Sequence, residues 1–141
     1  MLELNYPIIE TPKIVSKRTI LPKEIILALI RQESEFDRDA NSWVGAKGLM
    51  QIMPATGRLV SKQAGLKYSR SKLIEDEFFI LKLGSFYISG LNDEFDGALY
   101  MAFAGYNAGP HRVRRWIKRF GDPRKGEIDP CLLYTSPSPR D

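Results

Sequence analysis

Apolar residues in this chain recur at three- and four-residue intervals and nowhere alternate convincingly, a pattern that commits it to helices and leaves no clear strand. The sharpest case is the stretch 22–36, Pro-Lys-Glu-Ile-Ile-Leu-Ala-Leu-Ile-Arg-Gln-Glu-Ser-Glu-Phe. Pro22 suits the first turn of a helix, where its missing N–H costs nothing. At roughly 100° per residue, Ile26, Leu29, Ile30 and Glu33 fall within one arc, while Glu24, Arg31 and Glu35 fall opposite, where water can reach them. A carboxyl group therefore sits on the apolar stripe of this helix.

The remaining periods complete an all-α fold. Residues 41–48 are rich in turn formers, and 49–53 can add one short helical turn. Pro54 opens a second helix, with Leu59, Val60 and Ala64 spaced to pack and Gly65 to stop it. A longer helix is expected over about 75–91. Asp76 and Glu77 favour its N-terminal dipole, and Phe79, Ile80, Leu83, Phe86, Tyr87 and Leu91 form its apolar face. Asp96 can cap a helix over 97–104, which the glycines of 105–109 are expected to break. Pro110 then starts a last helix ending at Gly121, with Val113, Trp116, Ile117 and Phe120 as its buried stripe. Residues 1–20 read as an irregular lead-in, with a short helix around 12–18.

With 141 residues the chain is long enough for one core. Its formal charge of +4 would suit an anionic polymer without selecting one, and is common on proteins that bind nothing acidic. No apolar run approaches a membrane span. The N-terminus lacks a basic region followed by an apolar one, so an exported protein of this kind is expected to carry its signal upstream. The last stretch, 131–141, holds the single cysteine and two closely spaced prolines, and it resembles an in-frame translation of a sequencing adapter. Set aside as non-native, it leaves a chain with no cysteine for a disulfide, a metal site or a nucleophile, and one expected to continue naturally past Pro130.

An ionised carboxylate is costly to bury alone, so Glu33 should be paired, protonated or open to a cleft. Burial favours the protonated form, which a general acid working near neutral pH needs. The period alone leaves a structural carboxylate, satisfied by an arginine or a backbone amide, equally open.

Three blocks shift that balance. Gln32-Glu33-Ser34 is followed by Gly48-Leu49-Met50-Gln51-Ile52-Met53-Pro54 and then by Gly105-Tyr106-Asn107-Ala108-Gly109-Pro110. In this order and at these separations they resemble the soluble lytic transglycosylases of the Slt type. The likeness runs from about Leu21 to Pro130 and includes Arg114-Arg115-Trp116 and Phe120-Gly121-Asp122-Pro123. It implies a lysozyme-like (goose-type) helical catalytic domain over 21–130, incomplete at its C-terminal end, within a longer parent protein that works in the periplasm or at the cell wall.

The resemblance also implies a mechanism and a site. Glu33 matches the single catalytic acid. Ser42 matches a residue that approaches that acid, Gln51 and Met53 match positions lining the saccharide groove, and Tyr106 and Asn107 match residues that hold glycan and acid in place. Read from the residues alone, Met53 and Tyr106 would be core. The implied reaction cuts peptidoglycan between N-acetylmuramic acid and N-acetylglucosamine. Glu33 protonates the glycosidic oxygen, the substrate's N-acetyl group stabilises the oxocarbenium-like centre, and Glu33 then takes the proton of the muramic C6 hydroxyl as a 1,6-anhydro ring closes. No metal or other cofactor is implied, and the expected partner is the glycan strand of peptidoglycan.

Two rivals remain at this level, besides a chain that only binds glycan. A lysozyme-type hydrolase would want a second carboxylate, for which Asp37, Asp39, Asp93 and Asp96 are available. Arg112, Arg115 and Arg119 share a face of the last helix, as in a nucleic-acid reader, but a solvated amphipathic face is the commoner reason and no nucleic acid is expected.

Overall fold

In the computed structural model, residues 21–37, 39–42 and 45–129 are described. The expected lead-in helix and the adapter-like tail lie outside them. Among the described residues six α-helices follow in order: α1 (Lys23–Ser34), α2 (Pro54–Ala64), α3 (Lys72–Glu75), α4 (Glu77–Glu94), α5 (Leu99–Ala108) and α6 (Pro110–Phe120), then a 3-10 turn at Pro123–Lys125. Among the described residues extended pairing is limited to two isolated bridges, Asn41 with Lys47 and Lys47 with Ile52. The chain divides into two compact units, with the boundary inside α4 between Phe86 and Tyr87.

In the first unit α1 buries Ile26, Leu29 and Ile30, as its period required, and leaves Glu24, Arg31 and Glu35 exposed. The segment 46–52 supplies Ala46, Leu49, Met50 and Ile52 to the buried set, and α2 adds Val60. Residues 49–53 form no helical turn. Instead the Lys47 and Ile52 backbones exchange hydrogen bonds of 3.1 Å in each direction, closing a tight turn around Gly48 and Gln51. Leu59, expected to pack, is 58% exposed, because Gly57, Val60 and Ser61 form the buried side of α2 instead.

The helix expected over about 75–91 forms as α4, starting two residues later. A polar stretch conceals α3, whose Leu73 is fully buried, and Asp76 then adopts an extended conformation. Its carboxylate accepts the Phe79 amide at 3.0 Å, an N-cap that starts α4. Along α4, burial of Phe79, Ile80, Leu81, Leu83 and Phe86 spreads well beyond one stripe. Gly84 allows this helix to lie against Met50, since a Cβ there would stand 2.1 Å from the Met50 sulfur.

In the second unit Ile88, Leu91, Phe95, Met101, Ala102, Tyr106 and Val113 are buried, and α5 packs on α6. Asp96 does not cap α5. It takes a left-handed φ of 54° beside Gly97 in the turn that ends α4, where the Gly97 amide reaches back to Asn92 O at 2.8 Å. Asp tolerates that conformation better than most side chains, and α4 required it before α5 could begin. Nor does α5 break at Gly105. That glycine is buried near Leu91 and Phe95, and such packing outweighs a helix cost of about 1 kcal/mol relative to alanine, so the break falls at Gly109, with φ 92°.

On α6, Val113 is fully buried and Trp116 and Ile117 are half-buried, but Phe120 is 54% exposed in the last turn. Asp122 follows. Its carboxylate accepts the Arg124 amide (2.9 Å), Nε (3.0 Å) and Nη2 (2.8 Å), and Arg124 Nη1 also reaches Asp96 at 2.8 Å. The Arg124 guanidinium holds the Asp122 carboxyl below the usual carboxylate range, against the opposing effect of desolvation.

Candidate active site

Glu33 lies in the last turn of α1 and is half-buried. The last carbonyls of a helix form the negative end of its dipole. The helix ends abruptly after Ser34. Glu35 has φ 52° and Phe36 φ 68°, two successive left-handed residues without a glycine. The Glu35 amide closes on Arg31 O at 3.0 Å and the Asp37 amide on Ser34 O at 3.0 Å. Such a turn persists only where its surroundings hold it.

The surroundings are the turn at 47–52. The Ser34 hydroxyl lies 2.7 Å from Leu49 O and 3.2 Å from Ile30 O. The Gly48 amide donates to Ala40 O at 2.9 Å. Gln51, buried and left-handed at φ 48°, donates its side-chain amide to Ala40 O (3.0 Å) and Gly48 O (2.8 Å). Both N–H groups are thereby committed to the loop backbone. Ser42 closes the next loop, accepting the Ala46 amide on its hydroxyl at 2.9 Å and donating its own amide to Ala46 O at 3.0 Å. Met53, half-buried, begins α2, where its carbonyl accepts the Gly57 amide at 2.8 Å.

Of the sequence-predicted site residues, Glu33, Ser42, Gln51 and Met53 therefore lie in the first unit, on segments tied together through Ser34, Ala40 and Gly48. Tyr106 and Asn107 lie in the second, on the last turn of α5. Tyr106 is buried, its ring centroid 5.2 Å from that of Tyr87 and tilted by 40°; Asn107 is exposed. Tyr87 read as core in the sequence but is only half-buried. The tie made by Ser34 was not read from the sequence. The serine's place in the first block was the available signal, but its partner is fifteen residues away.

A lysozyme-type reading would draw on Asp37, Asp39, Asp93 and Asp96. Asp37 Oδ1 accepts the Asp39 amide at 2.9 Å, and Asp96 pairs with Arg124. Asp39 and Asp93 are exposed. On α6, Arg114 pairs with Glu94, while Arg112, Arg115, Lys118 and Arg119 form no ion pair among the described residues. Among those residues no helix is long and apolar enough to cross a membrane.

The sequence model of the transglycosylase SLT domain matches residues 11–128, most of the chain. The chain belongs to this family. Among curated SLT relatives, the soluble lytic murein transglycosylase of Escherichia coli K12 is 36% identical over 98 residues, 69% of this chain. That of Salmonella typhimurium is 40% identical over 93 residues, 64% of this chain. The match spans only 15% and 14% of those proteins' own lengths. Solved structures agree. An inactive glutamate-to-glutamine mutant of the lytic transglycosylase Slt from Pseudomonas aeruginosa superposes with a TM-score of 0.64 at 43% identity, covering 70% of this chain and 16% of that one. The 70 kDa soluble lytic transglycosylase of Escherichia coli gives 0.71 at 33%, covering 85% of this chain and 19% of that one. The all-α, lysozyme-like fold expected from the sequence is the SLT fold.

Proposed function

We propose that this SLT domain cleaves the β-1,4 bond between N-acetylmuramic acid and N-acetylglucosamine in peptidoglycan and leaves 1,6-anhydromuramoyl ends. Glu33 carries the reading. It is a half-buried carboxyl group at the negative end of α1, on a helix terminus clamped by the Leu49 carbonyl. A half-buried carboxyl group held on a fixed helix end is placed to serve as a general acid. That a glutamate-to-glutamine mutant of the Pseudomonas aeruginosa Slt is inactive supports a glutamate as the acid here.

Glu33 gives its proton to the glycosidic oxygen, which departs as the 4-hydroxyl of N-acetylglucosamine. The substrate's acetamido oxygen supports the cationic C1. The Glu33 carboxylate then removes the proton of the C6 hydroxyl as O6 bonds to C1, restoring the acid without consuming water. Ser42, Met53, Tyr106 and Asn107 are assigned to glycan contact or to holding the acid. Gln51, with its N–H groups bound to the loop, serves the groove mainly by fixing its wall. The location is the periplasm or cell wall, as one part of a longer polypeptide, in keeping with the small share of the relatives that the match covers.

The decisive experiment is mass analysis of muropeptides released from purified cell walls. Products should be lighter by one water than those with reducing ends, and Glu33→Gln should lower the rate by about 10²–10⁴-fold. Reducing ends, or a rate kept by Glu33→Gln, would defeat the assignment.

A further inference from the structure

We infer that Ser34 is a positioning residue for Glu33, acting through its hydrogen bond to the carbonyl of Leu49; this rests on the reading of Glu33 as the acid. A serine hydroxyl has one proton and here faces two carbonyls, Leu49 O at 2.7 Å and Ile30 O at 3.2 Å. The shorter contact, at the usual O–H···O distance, takes the proton. It is the long-range one, joining the end of α1 to the turn at 47–52.

The geometry around it explains why that tie matters. Helix ends fray, and this one is followed by the left-handed pair Glu35 and Phe36, a conformation that relaxes unless neighbouring contacts oppose it. Ser34 opposes it from two sides: its hydroxyl holds Leu49 and its carbonyl accepts the Asp37 amide. The receiving end does not drift, because Leu49 lies between Gly48 and Gln51, both bonded to Ala40 O. Glu33 precedes Ser34 on the same turn, so the backbone that Ser34 fixes also sets the direction of the Glu33 Cα–Cβ bond. A misplacement near 1 Å can cost about 100-fold in rate.

The test compares Ser34→Ala, Ser34→Thr and Glu33→Gln for release of anhydro-muropeptides, with kcat and KM separated and every variant assayed below its unfolding temperature. Ser34→Ala should lower kcat by about 10- to 100-fold with KM within about twofold, and speed hydrogen exchange at the Glu35 and Asp37 amides. Ser34→Thr, which keeps the hydroxyl, should restore kcat to within about threefold of the starting rate on the same argument. If Ser34→Ala does not fold, Ser34→Cys, with a weaker donor of similar size, should show a smaller kcat loss of the same kind. An unchanged kcat in the folded alanine or cysteine variant, a loss confined to KM, or no rescue by threonine overturns the inference. Full activity in Ser34→Ala beside an inactive Glu33→Gln removes this role alone; an active Glu33→Gln removes the function proposed above.

Discussion

Gly48→Ala should be among the most damaging single-methyl additions to this chain, and the structure supplies its own control. At Gly48, φ is +74°, and a Cβ would stand 2.0 Å from the Leu73 carbonyl oxygen, which is backbone and cannot swing aside. At Gly65, φ is +69° and nothing lies within 4 Å of the added carbon. Both substitutions force alanine into the left-handed region, at about 1–2 kcal/mol. Only Gly48→Ala must also separate two packed backbone segments, a further cost of about 1–3 kcal/mol by analogy with overpacked cores. The expected losses are therefore about 1–2 kcal/mol for Gly65→Ala and 2–5 kcal/mol for Gly48→Ala. For a domain of this size the second corresponds to a fall in Tm on the order of 10 °C. Urea and thermal unfolding of the two variants beside the parent chain would measure the difference. Equal losses would refute the claim that Gly48 is required by the approach of Leu73. Because Gly48 also donates to Ala40 O and accepts from Gln51, a folded Gly48→Ala should lose wall-cleaving activity at temperatures where Gly65→Ala keeps it.

Other outcomes follow from single groups. Asp76→Ala removes the cap on Phe79 and should cost about 1 kcal/mol in denaturant unfolding, most of it recovered in Asp76→Asn. Asp122→Asn should cost about 1–3 kcal/mol at neutral pH, because Arg124 loses its charged acceptor. The Asp122 carboxyl is lowered in the folded state, so its contribution is present above the ordinary Asp value of about 3.9 and fades as pH falls through the lowered folded value. Unfolding curves of the parent chain and Asp122→Asn should therefore converge in strong acid; a gap that stays constant from neutral pH into that range would contradict the ion-pair account.

The sequence determined what depends on neighbours one turn away. The three-and-four spacing committed the chain to helices and put Ile26, Leu29, Ile30 and Glu33 on one arc, and Pro54 and Pro110 open helices where their fixed φ suits a first turn. The motif blocks pointed to the family. Contacts across longer separations were decided only by tertiary structure. Which side of α2 and α6 is buried, leaving Leu59 and Phe120 exposed, depends on what packs against those helices, and no period specifies it. Gly105 stays helical because it packs near Leu91 and Phe95, and Asp96 belongs to the end of α4 because the Gly97 amide closes on Asn92. At the candidate site, Glu33 was legible from its stripe, whereas the hold on its helix end came from a serine and a carbonyl fifteen residues apart. A hydrogen bond between residues so separated forms only after the chain has folded back on itself, and helical periodicity carries no record of that return.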